Sequence, residues 1–382
     1  MITIIGIGIA GVLLFWLEKK LYEKIWDRDL SAEISFGQES IFQGETGTLV
    51  EVIENRKRLP LPVLKVKFQT DRNLLFEDQA GSKVTDRFYR NDMFQIGGGE
   101  KITRTLRFIG GKRGYYRITQ IDLVAGDFLL DQEMTESLDT ECSLYVYPAL
   151  FESPEFRQAL SRQNGEVLTR RYWTEDPFEY KGIREYQPYD AMRSINWKAS
   201  ARTGDWKVNQ KNATALFTVR IFVNVEDTGI LKKEEAVEAS IQMAASLSAN
   251  FLRQGIRTAV YSNGIDILSD SRIRVEAGAG KGQMEKINRA LARMDLTKKT
   301  QPFAEDFEKE VLRDGKDTRL FFLSANAYED FCGLLEKLSE RKEEFVWFCP
   351  VYGKEFPTVP EGLKDSVEFI PVREQMTGAK KV

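Results

Sequence analysis

The pattern of hydrophobic and polar positions changes period three times along the chain. From Ile2 to Leu17 there is no charge at all. As a helix rising 1.5 Å per residue this run is roughly 24 Å long, near the lower limit for crossing a bilayer. Phe15 and Trp16 would sit at one interface, with Lys19, Lys20 and Lys24 snorkelling beyond it. A cleaved leader would need basic residues ahead of the run and small residues at a cleavage site, and the sequence has neither. The pattern therefore predicts an uncleaved transmembrane helix over 1–18 and a juxtamembrane segment over 19–30. Lys and Arg gather after the run, which predicts a single-pass cell-membrane protein with its C-terminal domains in the cytoplasm.

Over 31–150 the period falls to two. Leu49-Val-Glu-Val-Ile and Val63-Leu-Lys-Val-Lys-Phe alternate across a breaker-rich turn, Glu54 to Pro62. Ile102 to Phe108 and Tyr115 to Leu123 follow, either side of Gly110-Gly-Lys-Arg-Gly114. Short strands at this spacing predict an antiparallel β-sandwich of immunoglobulin-like kind. The basic cluster Arg56-Lys57-Arg58 reads first as a solvated hairpin tip, with contact to anionic lipid as the alternative. It is small, and the sequence does not set its distance from the span.

Residues 151–210 read as a linker, with a short helix near Pro154 to Leu160, leading into the most unusual stretch of the chain. Between Tyr180 and Arg202 the residues Arg184, Arg193 and Arg202 alternate with Tyr180, Tyr186, Tyr189 and Trp197. Pro188 holds Gln187 out of the helical region, and Asp190 is placed to cap a short helix marked by Met192, Ile195 and Ala199. The stretch predicts strand, tight turn and short helix. Its arginines and aromatics fit an internal clasp, with Arg184 or Arg193 on Asp190 or Glu185 and Trp197 filling a domain interface. They also fit a recognition surface, since Arg, Tyr and Trp dominate interaction hot spots.

From 211 to 382 apolar strand runs alternate with helical periodicity. The strands are Val219 to Val225, Thr258 to Tyr261, Arg319 to Leu323 and Phe345 to Cys349. The helices are Lys232 to Gln254, Gln283 to Arg293, Phe303 to Leu312 and Tyr328 to Leu338. This rhythm predicts an α/β domain with a mainly parallel sheet covered on both faces.

Composition narrows the chemistry. The chain has 382 residues and no histidine, which removes His-based triads and the commonest metal ligand. Three scattered cysteines, Cys142, Cys332 and Cys349, read as buried thiols in a reducing compartment. A net charge of -3 with mixed signs gives no basic footprint, so nucleic acid is not expected as a partner. Gly278-Ala-Gly-Lys-Gly282 mimics a phosphate loop but lacks the required first glycine and the Ser/Thr after lysine, so it reads as a connection.

The run Gly182-Ile-Arg-Glu-Tyr-Gln-Pro188, then Asp190, then Arg193-Ser-Ile-Asn-Trp-Lys-Ala-Ser-Ala-Arg202 resembles the signature of the bacterial family called domain of unknown function fifty-eight. Its signature residues here are Arg184, Tyr186, Pro188, Asp190, Arg193, Asn196, Trp197 and Arg202. The chain departs from the family pattern at Tyr189, where glycine is usual. Gly44-Glu45, Asn55 with Leu59-Pro-Leu-Pro62, and Arg113-Gly-Tyr115 extend the resemblance.

The resemblance also implies a von Willebrand factor A-like C-terminal domain, whose Asp-x-Ser-x-Ser loop can hold a divalent cation. The matching positions are Asn224, Glu226, Asp227 and Thr228, a degenerate set in which no metal is expected. Here Asn224 and Thr228 would cap the following turn and helix. No cofactor is expected, with Mg2+ at those positions as the alternative. The family has no settled activity, and the resemblance implies a MoxR-type AAA+ ATPase as protein partner. The expectation is thus a membrane-anchored, non-enzymatic scaffold or adaptor. The alternatives are a metal-dependent binding module or enzyme, and a structural component of envelope assembly.

Overall fold

The structure is a computed structural model. It describes residues 15–372 except 18, 21, 79–81, 85–87, 127–132, 174–179, 188–189, 191, 212–216, 230–232, 313–316 and 354–355. Most of the uncharged run, and Pro188 and Tyr189 of the signature, lie outside the described residues. No helix among the described residues is long and apolar enough to cross a membrane. The chain divides into two compact units, Met1–Ala149 and Leu150–Val382.

The first unit contains β1 (Leu30–Phe36), β2 (Ser40–Phe42), β3 (Thr46–Asn55), β4 (Leu61–Thr70), β5 (Leu74–Phe76), β6 (Ser82–Val84), β7 (Phe88–Ile96), β8 (Glu100–Gly110), β9 (Gly114–Gly126) and β10 (Glu133–Tyr147). They pair into a four-stranded sheet, β1-β3-β8-β5, and a six-stranded sheet, β2-β10-β9-β4-β7-β6. All pairings are antiparallel except β2 with β10, which is parallel. Alternation sends Leu49, Ile53, Leu106 and Phe108 of one sheet, and Leu64, Val66, Phe68 and Leu123 of the other, into one shared core.

Two features of this core bear on function. Residues 15–17, 19–20 and 22–25 are helical, and Tyr22 and Trp26 are buried in the core. Tyr22 Oη donates to the Pro60 carbonyl at 2.5 Å. The core also contains charge. On β7, Arg90 and Asp92 point inward among Phe88, Phe94 and Ile96. Arg90 Nε donates to Asp92 at 2.5 Å, and Arg104 of β8 bridges Asp92 and Asp78 at 2.8 Å each. Glu51 of β3 is 1% exposed. Burial, reinforced by Asp92, pushes its carboxyl up to about 8.

The second unit opens with α1 (Pro154–Trp173) and continues through β11 (Tyr180–Glu185), α2 (Trp197–Thr203), β12 (Lys207–Lys211), β13 (Thr218–Asn224), α3 (Glu234–Arg253), β14 (Arg257–Asp266) and β15 (Arg272–Gly278). Then come α4 (Lys281–Ala292), β16 (Met294–Asp295), α5 (Phe303–Leu312), β17 (Thr318–Ser324), α6 (Glu329–Glu340), β18 (Phe345–Tyr352) and β19 (Val367–Val372). The helix at 154 runs well past the expected Leu160. Phe156, Ala159 and Val167 stand along one face in the core, while Arg319 of β17 holds its middle through Gln163 and Glu166.

Six strands run in the order β15-β14-β13-β17-β18-β19, with β16 paired to β14. Five are mutually parallel, whereas β15 and β16 are antiparallel to β14. The sheet is therefore mainly parallel, as expected, with antiparallel strands at one edge. Asp266 helps to make that edge. Its Oδ1 accepts from Leu268 N at 2.8 Å, and this Asx turn doubles the chain straight back on itself. Both faces of the sheet are covered. Ile221 and Val223 of β13 share a core with α1, α3 and α4, while Phe222 faces α5 and α6.

Candidate interaction site

The signature folds as a braced hairpin. Strands β11 and β12 pair antiparallel, and the 192–194 turn and α2 lie in the connection between them. Arg184 reaches across with both guanidinium nitrogens, at 2.7 Å to Asp190 Oδ2 and 2.5 Å to Asp190 Oδ1. Asp190 Oδ2 also accepts from Gln187 N at 2.8 Å, and Asp190 N donates to the Gln187 carbonyl at 2.9 Å. These bonds hold the Asp190 carboxyl below the usual aspartate range, the Arg184 hydrogen bond being the larger cause.

Asp190 was expected to cap the helix, but it locks the turn instead. The N-cap is Asn196, whose Oδ1 accepts from Ala199 N at 2.9 Å. Asn196 also ties the helix to the strand: its Nδ2 donates to Asn209 Oδ1 at 2.6 Å, and its backbone N–H donates to the Lys207 carbonyl at 2.8 Å. Ile195 is buried, and its backbone forms an antiparallel bridge with Val208. Gly204 ends α2 at φ 78°, a left-handed C-cap that glycine adopts without strain.

This bracing presents an aromatic face. Trp197 is 64% exposed and Trp206 51% exposed, their ring centroids 6.2 Å apart, and Tyr186 meets Trp206 edge-on at 5.5 Å. Ile183 and Met192 are exposed as well. Trp197 is therefore not packed into the core of its own unit. Arg202 is exposed on α2 beside Lys198. Residues 181–211 hold seven Lys and Arg against three Asp and Glu, in a chain whose net charge is -3. Arg193 lies in the 192–194 turn, but its side chain is outside the described set, as is Pro188. Trp206, Asn209 and Ser200 belong to the site too. The Gly204-Asp205 turn signal just before Trp206 was the available clue to that second tryptophan.

The degenerate cation positions lie at the carboxyl ends of β13 and β17, where a doubly wound sheet ordinarily binds ligands. Asn224 is 1% exposed. Its Nδ2 donates to Ser324 Oγ at 3.2 Å, and its Oδ1 accepts from Glu226 N at 3.0 Å and Asn263 Nδ2 at 3.1 Å. Asn326 Nδ2 donates to the Glu226 carbonyl at 2.8 Å. Thr228 contributes its backbone N–H to Tyr328 Oη at 3.0 Å, and Asp227 Oδ2 accepts from Lys233 N at 2.7 Å. So Asp227, not Thr228, serves the start of α3. Burial raises the Glu226 carboxyl, whose Oε2 accepts from Phe303 N. A web of amides thus links the segments at the ends of β13, β14 and β17. Among the described residues, no group of three or more Cys, Asp or Glu is arranged to hold a metal.

The family described as "Protein of unknown function DUF58" matches residues 182–343, from inside the hairpin to beyond α6. The match covers less than half of the chain. No curated protein matches the chain. Among solved structures, the CARDB domain of the PF1109 protein from Pyrococcus furiosus is 17% identical. The alignment covers 32% of this chain and 94% of that one, at a TM-score of 0.22. A type I cohesin–dockerin complex from Clostridium thermocellum is 12% identical over 30% of this chain and 99% of that chain, at 0.23. The major pilin SpaD from Corynebacterium diphtheriae is 11% identical over 30% and 34%, at 0.24. These likenesses are slight, and the functional argument rests on the hairpin itself.

Proposed function

We propose that this DUF58 chain is a membrane-anchored, non-enzymatic scaffold whose signature hairpin captures a protein partner, a MoxR-type AAA+ ATPase. The observation that carries the reading is the exposure of Trp197 and Trp206 on a connection held rigid by Arg184, Asp190 and Asn196. Two neighbouring tryptophans left in water by a structure that spends many hydrogen bonds on fixing them fit a preorganised contact surface. The basic excess around them adds electrostatic steering toward an acidic partner surface.

The von Willebrand A-like reading of the α/β unit is supported by its central β13, its β14 and β17 neighbours and its antiparallel β15 edge. On this reading the amide web around Asn224 fastens β13 to β17 directly, a task that would otherwise fall to a cation. The uncharged run Ile2 to Leu17, followed by Lys19, Lys20 and Lys24, supports the anchor.

The test is affinity purification of full-length protein from membranes with nucleotide present, followed by mass spectrometry. Recovery of an AAA+ ATPase that falls with Trp197→Ala and with added salt is the expected result. Undiminished recovery with a folded Trp197→Ala protein overturns the assignment of the surface.

A further inference from the structure

The base of the first unit carries a second surface, formed where the β3–β4 hairpin tip meets the N-terminal helical segment. Arg56 N donates to the Asp29 carbonyl at 2.9 Å, and Tyr22 Oη donates to the Pro60 carbonyl at 2.5 Å. The tip that contains Arg56, Lys57 and Arg58 is thereby pinned beside the last turn of the helix. From Tyr22 back to Leu17, the end of the uncharged run, is five residues. At 1.5 Å each that is about 8 Å along a helix axis, within a Debye length at physiological salt.

The tip is also rigid. Asn55, fully buried at its root, donates through Nδ2 to the Leu59 carbonyl at 2.9 Å and the Gly97 carbonyl at 2.8 Å. Gly99 N donates to the Lys57 carbonyl at 3.0 Å. Gly98 packs so closely that a Cβ there would come within 2.3 Å of the Arg58 carbonyl oxygen. The charges divide unevenly. Asp27 and Asp29 act on the partly buried Lys57 ammonium, and Glu54 takes the Arg56 guanidinium. Arg58 is exposed, as are Lys20 and Lys24 on the helical segment, where Lys20 lies over the Trp16 ring at 4.2 Å.

We propose that this pinned tip, through Arg58 and Arg56 with Lys20 and Lys24, docks on the anionic lipid headgroups of the bilayer that holds the N-terminal run. The occupant is a lipid surface because the tip is pinned to the helical segment whose exposed Lys20 and Lys24 accompany exposed Phe15, Trp16 and Leu17, an aromatic and basic pairing suited to that interface. The inference rests on the anchored reading above and adds a lipid preference and a fixed depth for the first unit.

The experiment reconstitutes the full-length chain in nanodiscs of phosphatidylcholine alone or with phosphatidylglycerol added, and follows hydrogen exchange over residues 56–59. Exchange several-fold slower in the anionic discs is expected, with the difference abolished by high salt and by Arg58→Gln. Equal exchange in both discs overturns the lipid contact and leaves the anchor standing. A chain that stays out of the discs overturns the anchored reading and this inference with it. Arg56→Glu with Arg58→Glu, checked for native circular dichroism, is expected to match the phosphatidylcholine result in both discs.

Discussion

Arg184 and Asp190 form a two-pronged ion pair, 2.7 and 2.5 Å long, across a turn whose own amide at Gln187 is bonded to the same carboxylate. The pair and the turn therefore form together. Asp190 is held below its ordinary range, so its contribution is complete above the unfolded-state value near 3.9. It is lost as pH falls through the lower, folded value. Hydrogen exchange at Gln187 is expected to stay protected through mildly acid pH and to lose protection only in stronger acid. Asp190→Ala, which takes the acceptor away from Gln187 N, is expected to remove the protection at every pH.

Trp197 and Trp347 should behave as opposites. Trp347 is completely buried, and its indole donates to the Ser324 carbonyl at 3.0 Å. Trp347→Ala is expected to cost about 3–5 kcal/mol in chemical denaturation, as large buried aromatics do. Trp197→Ala removes an exposed ring and is expected to stay within about 0.5 kcal/mol. A loss of partner capture by that variant would then be a loss of surface, not of fold.

Asn224 tests the amide web. Asn224→Asp replaces the Nδ2 donor facing Ser324 Oγ with a charged oxygen at a position that is 1% exposed. Ser324 Oγ already donates to the Asn326 carbonyl at 2.7 Å. Destabilisation of at least about 1–3 kcal/mol is expected, measured by denaturant unfolding. With the native asparagine, millimolar magnesium is expected to leave the melting temperature unchanged, since a cation that binds only the folded state would raise it.

Glu51 makes the first unit sensitive to alkali. Its folded carboxyl is raised to about 8, so the folded state retains a proton that the unfolded chain has released. Stability should fall as pH rises from the ordinary glutamate range to about 8, with a slope of up to about 1.4 kcal/mol per pH unit. Glu51→Gln keeps the shape without the proton. Urea unfolding across this window is expected to show a flatter profile for the variant, which becomes the more stable protein at the alkaline end.

The repeating parts of this fold were legible in the sequence. Phe303–Leu312 is a helix with the expected ends, and Val219 and its neighbours form the central strand. There the period of the apolar residues decides the outcome alone. What escaped is what period does not encode. Arg90 and Asp92 sit on the inward face of an otherwise regular strand because they pair with each other and Asp92 pairs with Arg104, and their inward position follows from those partners more than from their polarity. Helix α1 carries so few apolar residues that Arg319, far along the chain, is needed to hold it. At the signature, the residue types were evident but their division of labour was not. Asp190 and Asn196 are both good caps, and only the reach of Arg184 decides which of them is occupied elsewhere.

The seating of Tyr22 and Trp26 in the first unit has a mechanical consequence. A helix joined to a domain by a loose tether could spin or tilt without the domain following. Here two aromatic side chains act as keys in a slot, so turning the helix would turn the whole β unit with it. Rotation or tilt begun at the N-terminal segment would arrive at the far ends of the sheets as a swing, with the first unit as the lever arm.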